Sequence, residues 1–499
     1  MTRSRIEERQ RRRDAGRALT YVVGGILFVA GCDSILEVEV PGQITEEGAF
    51  SPEQAEVLVN GAIADIECGL SDFIASNAAG SEDVTSRSVG WWGTVYEFGD
   101  DPGTANCSIA ETSYGWFVPL HKGRMTAERV YDKLANEWTD EQVADREEKL
   151  AMAAIYAGIT YTLFGEYFCE MAADTGPLMS WEESLQTADQ WFTLALGHIA
   201  SAGDFVIPTD VTTSARLMAH LLRARARFAM DDFAGAEADA MEIPQGFIAY
   251  ITRESGGERT RWNRVNSAHV GQPGWAPTLG PIEWWSGPAD PVNGKEWPAI
   301  IPFTGYWDLG VLPDGRAIRD DQYPVTTTGS ETAIADPRVP VLDLGEVSDA
   351  NQYPIWRPEK YPSLETDIPL AKWEEAWLIR AQIAYLRDGD GATAISLVNE
   401  IRTVNDIPAV TYLSAADATG VENMLIEEIR RTHFLEGRYW SAKLRYDLWF
   451  PRGEGADLFS HPYNRGVRLV MPEDEFDQNP NLSQEDRGSM CPAGENPIT

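Results

Sequence analysis

Residues 373–401 read WEEAWLIRAQIAYLRDGDGATAISLVNEI. Leu378, Ala381 and Tyr385 recur at helical spacing, Asp388-Gly389-Asp390-Gly391 breaks the chain, and Ala394 with Val398 resumes the period. Small residues on both sides of the break let two antiparallel helices approach closely. The stretch therefore predicts a helical hairpin. Residues 215–243 repeat the layout: Leu222, Ala226 and Phe228 lead into Asp231-Asp232-Phe233, then Ala236 and Ala240.

The two hairpins differ in spacing by one residue and resemble tetratricopeptide-type pairs. Two such pairs are few for a free solenoid, whose repeats bury their faces only against neighbours, so other helices must complete the core. Residues 51–243 supply them. Ser51-Pro52 has the chemistry of a helix start. Thr139-Asp140-Glu141 reads as another start, with Leu150, Ala154, Ile155, Ala157, Gly158 and Tyr161 following at helical spacing towards Phe168. Ser180-Trp181-Glu182-Glu183 reads as a capping box. From about residue 249 to 369 the periodicity is lost. Gly and Pro become frequent, and Trp262, Trp275, Trp284, Trp285, Trp297, Trp307 and Trp356 appear. So many large aromatics argue against disorder and for a long loop region, with short strands, packed on the helices. The expected fold class is mainly α: tetratricopeptide-like helical pairs with a large irregular Trp/Gly/Pro-rich insertion.

The start of the chain places it. Arg3, Arg5, Arg9, Arg11, Arg12 and Arg13 precede an apolar run from Ala18 to Ala30. Thirteen or so helical residues span roughly 20 Å, short of a hydrocarbon core of ~30 Å. This is the layout of an export signal. Val29-Ala30-Gly31-Cys32 resembles a bacterial lipobox, which makes Cys32 the expected lipidation site. The expected organisation is a signal peptide at 1–31, a tether at 32–50 and one domain at 51–499. Within that domain the helical scaffold is 51–248 and 370–450, the insertion 249–369 and the C-terminal segment 451–499. A formal net charge of −37 repels phosphate backbones, which counts against nucleic acid as a partner. Cys68, Cys107, Cys169 and Cys491 remain beyond the anchor, enough for two disulfides in any of three connectivities.

Further blocks carry a family resemblance. Leu36-Glu37-Val38-Glu39-Val40-Pro41, Tyr361-Pro362, Asp367-Ile368-Pro369-Leu370 and Trp373-Glu374-Glu375-Ala376-Trp377-Leu378 are four. The strongest is Glu427-Glu428-Ile429-Arg430-Arg431 with Phe434-Leu435-Glu436-Gly437-Arg438-Tyr439-Trp440 and Asp447-Leu448. Leu469-Val470-Met471-Pro472-Glu473 and Asn479-Pro480 close the set. Together, in this order and behind a lipobox, they resemble the SusD/RagB-like nutrient-uptake lipoproteins. Departures are local: Met471, Glu473 and Thr432-His433 differ from the usual pattern. The resemblance implies an outer-membrane, lipid-anchored protein that captures an oligosaccharide or peptide and passes it to a SusC-like TonB-dependent transporter. Within the strongest block, Ile429, Phe434, Leu435, Leu444, Leu448 and Trp449 are expected to face the core. Glu436, Arg438, Arg445 and Asp447 are expected to pair with one another, and Gly437 to permit a close approach or kink.

Catalytic and metal motifs are not found. The six His form neither HExxH nor another paired spacing, and no GxSxG elbow occurs. Asp388-Gly389-Asp390-Gly391 lacks the twelfth-position Glu of a calcium loop and reads as a turn. No cofactor and no catalytic residue are expected. Recognition by aromatic faces remains, since indole suits the apolar face of a sugar ring. Trp91, Trp92, Trp284, Trp285, Tyr306 and Trp307 are the candidate ligand-binding residues, core packing being the competing role for each. Asn77, Asp83, Asn293 and Asp308 are candidate polar partners. An exported glycoside hydrolase and a surface adhesion protein are the rival functions.

Overall fold

The computed structural model describes residues 46–81, 83, 85–86, 115–207, 210–256, 261–270, 277–278, 336–347, 354–411, 413–448, 450, 466–492 and 495. Residues 1–51 and 52–499 are two compact units. In the first, Glu46–Ala49 form one helical turn. The second is mainly helical. Its described α-helices are α1 (Ala55–Gly80), α2 (Phe117–Asn136), α3 (Arg146–Tyr167), α4 (Trp181–Ala202), α5 (Ala215–Ala229), α6 (Phe233–Met241), α7 (Trp373–Leu386), α8 (Gly391–Val404), α9 (Ala418–Thr432), α10 (Tyr439–Arg445) and the short α11 (Glu473–Gln478). Each of α1 to α8 packs on the helix that follows it, giving one tetratricopeptide-like ladder. No described helix is long and apolar enough to cross a membrane.

Both hairpins form where expected, as α5–α6 and α7–α8. Asp231 takes φ 61° and Asp232 caps α6 through Gly235 N–H, while Gly389 takes φ 63° and Asp390 caps α8. The capping box at Ser180 is complete: Glu183 N–H donates to Ser180 Oγ at 3.2 Å and Ser180 N–H to Glu183 Oε2 at 2.8 Å. The start at Thr139 is corrected. Residues from Thr139 to Asp145 form turns, and α3 begins at Arg146. The reason is the end of α2, whose carbonyls at Leu134 and Ala135 accept from the Arg146 guanidinium at 2.6 and 3.3 Å. That residue satisfies a neighbouring helix before it opens its own.

α3 is buried on all sides from Leu150 to Tyr167, as expected for a helix apolar around its whole circumference. Its small residues set the distance to α4. A Cβ at Gly158 would lie 2.7 Å from Phe192, and one at Gly165 would run into Leu185. The ladder is not interrupted by the insertion, because α6 packs directly on α7. Strand Ile248–Ile251 pairs antiparallel with Ile368–Lys372, which zips the two ends of the insertion together at its base. A further antiparallel pair, Val341–Val347 with Pro354–Pro358, lies inside it.

The block around residues 427–450 is structural, with partners other than those expected. Ile429, Phe434, Leu435 and Leu448 are buried and Leu444 is half-buried; Trp449 lies outside the described residues. Glu436 pairs with Lys360 and Lys372, Arg438 with Glu375 and Arg445 with Asp231. Asp447 is exposed, at φ 46°. Gly437 takes φ 69° with its Cα side against Ile74, so a close approach is what it provides. Cys169 is bonded to Cys491, Cα atoms 4.4 Å apart, and Cys68 is also disulfide-bonded.

Candidate functional site

Trp91, Trp92, Trp284, Trp285, Tyr306 and Trp307 lie outside the described residues, as do Asn293, Asp308 and Cys32. Asn77 and Asp83 are described, and they are not surface groups: each is 1% exposed. Asp83 accepts from Leu435 N–H at 3.2 Å, and burial pushes its carboxyl up to about 7 against the pull of Arg430. It joins the end of α1 to the turn after α9.

The structure does show how the insertion is mounted. Its first limb lies on a polar stripe of α1. Glu67, fully buried, accepts from Arg253 at 3.2 Å and from Tyr156 Oη at 3.0 Å. Asp72 accepts from Arg264 Nε at 2.6 Å and Gly115 N–H at 3.3 Å. His269 Nε2 lies 2.8 Å from Ala75 O and, facing a carbonyl, carries the proton. The second limb lies on α9. Arg338 donates to Asp336 at 2.7 Å, to Glu428 at 2.6 Å and to Thr432 at 2.9 Å, while Arg431 reaches Asp336 at 3.1 Å. Lys360 and Lys372 each donate to Glu436 at 2.7 Å, and His433 Nδ1 is 2.9 Å from its other oxygen. Burial opposes the charge on Glu436, yet the two ammoniums hold its carboxyl well below the ordinary range. Burial also pushes His433 down to about 4. No local sequence signal marks these pairs; Arg338 and Glu428 are 90 positions apart, and Arg264 and Asp72 are 192 apart.

Beside this mount, a cleft of about 270 Å³ opens between α3, the start of α4, α5, α7, the end of α9, α10 and the C-terminal segment, with Ile429 and His433 on its α9 wall. Arg225, Arg438, Arg445 and Arg468 line it, with Trp181 and Phe228. Arg225 pairs with Glu166 through both carboxylate oxygens, one of them at 2.8 Å, and Arg438 reaches Glu375 at 3.1 Å. Arg468 pairs with Glu495 at 2.6 Å and Arg445 with Asp231 at 2.8 Å. The sequence reading did not single out this cleft, because its walls come from seven separate segments.

Two arrangements resemble chemistry and resolve otherwise. Tyr131 Oη, His198 and Glu147 form a hydroxyl–imidazole–carboxylate chain at 3.0 and 2.8 Å. Burial raises the phenol, so it is a poor nucleophile, and the chain ties α2, α3 and α4 together. Cys169, Glu170 and Cys491 converge as metal ligands would, but both sulfurs are spent in the disulfide. At the Asp388 turn, Asp390 accepts from Ala392 and Thr393 N–H and Asp388 pairs with Arg387, which accounts for both carboxylates.

No protein-family model and no curated protein matches the chain. Solved structures do. The crystal structure of a SusD superfamily protein from Bacteroides vulgatus aligns with a TM-score of 0.56 at 12% identity, over 88% of this chain and 99% of its own. A SusD-like carbohydrate binding protein from the same organism gives 0.53 at 14%, over 87% and 98%. A SusD-like protein from Bacteroides fragilis gives 0.54 at 12%, over 88% and 98%. At such identities the likeness is one of fold. The chain has the SusD-like fold.

Proposed function

We propose that this protein is a SusD/RagB-like cell-surface binding lipoprotein, anchored in the outer membrane through Cys32. It captures an oligosaccharide or peptide and passes it to a SusC-like TonB-dependent transporter, without chemistry of its own. The observation that carries the proposal is the near end-to-end match to SusD-like structures, one of them described as carbohydrate binding. The export signal, the lipobox and the aromatic-rich insertion support it independently. A glycan has the better support of the two ligand classes, because the described relatives point that way.

The ligand surface is assigned to Trp91, Trp92, Trp284, Trp285, Tyr306 and Trp307. Packing of a sugar's apolar face on an aromatic ring is worth about 1 kcal/mol per aromatic. Replacing Trp91 and Trp92 together by Ala should weaken binding of the best ligand from an oligosaccharide panel at least tenfold with an unchanged melting temperature. Unchanged affinity would remove those two from the site. Hydrolysis of any panel member by the purified protein would favour the glycoside hydrolase instead. Failure to co-purify a large outer-membrane barrel protein would favour the adhesin.

A further inference from the structure

The cleft gathers four guanidiniums in a chain of net charge −37, and they are not equivalent. Arg225 and Arg438 face acids whose side chains are 5% and 7% exposed, Glu166 and Glu375. Those pairs are sealed. Arg445 and Arg468 are held by other means. Arg445 sits 4.1 Å over the Phe228 ring and donates to Phe228 O at 2.6 Å. Arg468 sits 4.8 Å over the Trp181 ring, with Nη1 3.3 to 3.4 Å from the carbonyls of Gly165, Glu166 and Phe168 at the C-terminal end of α3. Ring stacking and a helix C-terminus both favour a cation and fix its plane.

Their carboxylate partners, by contrast, stand at the rim. Asp231 has a side chain 67% exposed, in the turn between α5 and α6, and Glu495 one that is 27% exposed. The backbone of Glu495 is pinned, its carbonyl accepting from Val467 N–H at 3.0 Å, and among the described residues Arg468 is its side chain's partner. Swinging Asp231 into water costs little, as exposed ion pairs are worth about 1 kcal/mol or less, while the part-buried Glu495 pair costs more to open and so needs a carboxylate in exchange. Either opening would leave a guanidinium already oriented and partly desolvated, with two parallel donors for a carboxylate. A neutral sugar gains nothing comparable here, because the Trp181 and Phe228 faces it would stack on are already covered by guanidinium.

We infer that the cleft is a binding site for a carboxylate-bearing ligand, with Glu495 and Asp231 occupying the anion positions until the ligand displaces them. A uronic acid and a peptide C-terminus share this chemistry. The inference does not depend on the aromatic residues assigned above.

The test uses the full protein in thermal-shift and calorimetric titrations with two matched pairs: an oligogalacturonate against its methyl ester, and a tripeptide against its C-terminal amide. One acid or both should raise the melting temperature and bind, the blocked forms not. Uronate alone identifies a sugar acid, the peptide alone a peptide. Glu495→Gln removes the resident competitor without touching the core and should tighten the acid about fivefold. Arg445→Gln should weaken it at least tenfold, with circular dichroism confirming the fold. The W91A/W92A protein should bind the acid normally, which separates failure here from failure of the aromatic site. Equal binding of acid and blocked forms, no binding of either acid at millimolar concentration, or weaker binding by E495Q would overturn the inference.

Discussion

Glu436→Gln is the sharpest test of how the insertion is mounted. The wild-type carboxylate is 3% exposed, meets two ammoniums at 2.7 Å each and holds His433 at 2.9 Å. Gln keeps the shape and one acceptor oxygen but removes the negative charge, leaving Lys360 and Lys372 buried with only the carbonyls of Phe434 and Thr432. Stranding a buried charge in this way costs about 3–5 kcal/mol. At about 2.1 cal/mol/K per residue, a unit the size of residues 52–499 has an unfolding entropy of roughly 0.9 kcal/mol/K, so the melting temperature should fall about 3–5 °C. Differential scanning calorimetry of E436Q, Lys360→Met and the double variant measures it. K360M combined with E436Q should recover part of the loss, since one stranded ammonium is then gone. A fall under 1 °C, or strictly additive losses in the double variant, would show that the cluster is solvated and that the mount rests on apolar packing alone.

His433, held near 4 in the folded protein against about 6.5 when unfolded, contributes stability that is complete above pH 6.5 and lost as pH falls towards 4. The loss reaches about 3 kcal/mol at most, and His433→Gln should flatten that part of the stability–pH curve measured by urea titration. Glu170 runs the other way. Burial pushes it up to about 7, so its charged form costs stability above pH 7, and that cost is relieved as pH falls towards 4.5; Glu170→Gln should therefore raise stability at pH 8 and leave it unchanged at pH 4. The Cys169–Cys491 bond spans 322 residues, and Cys491→Ser should lose up to roughly 5 kcal/mol, read as faster amide exchange in residues 466–492 before any change in α3.

The ladder was legible because its information is local. In residues 215–243 and 373–401 the apolar period, the break and the cap all lie within thirty positions, and the Ser180 box within four. The α3 start was misplaced because Thr139 and Arg146 are decided by what the end of α2 needs, which no window around residue 139 contains. Glu436 was recognised as an ion-pair residue and given the wrong partners for the same reason: Lys360 and Lys372 come from the returning limb of the insertion, 76 and 64 positions earlier. The cleft was invisible for that reason too. Its guanidiniums lie on α5, the turn before α10, α10 itself and the C-terminal segment, and nothing in the neighbourhood of Arg468 announces Trp181.

The strand pair at the root of the insertion has an evolutionary consequence. Because Ile248–Ile251 pairs with Ile368–Lys372 and α6 packs on α7, the scaffold closes at the root of the insertion whatever the length of chain between, so long as Arg253, Arg264, His269, Arg338 and Lys360 keep their buried partners. Lengthening a closed loop twofold costs only about 0.6 kcal/mol, so change in sequence and length is cheapest between His269 and Asp336, clear of those anchors. New sequence there needs no new architecture, only the same zip and the same anchors on α1 and α9.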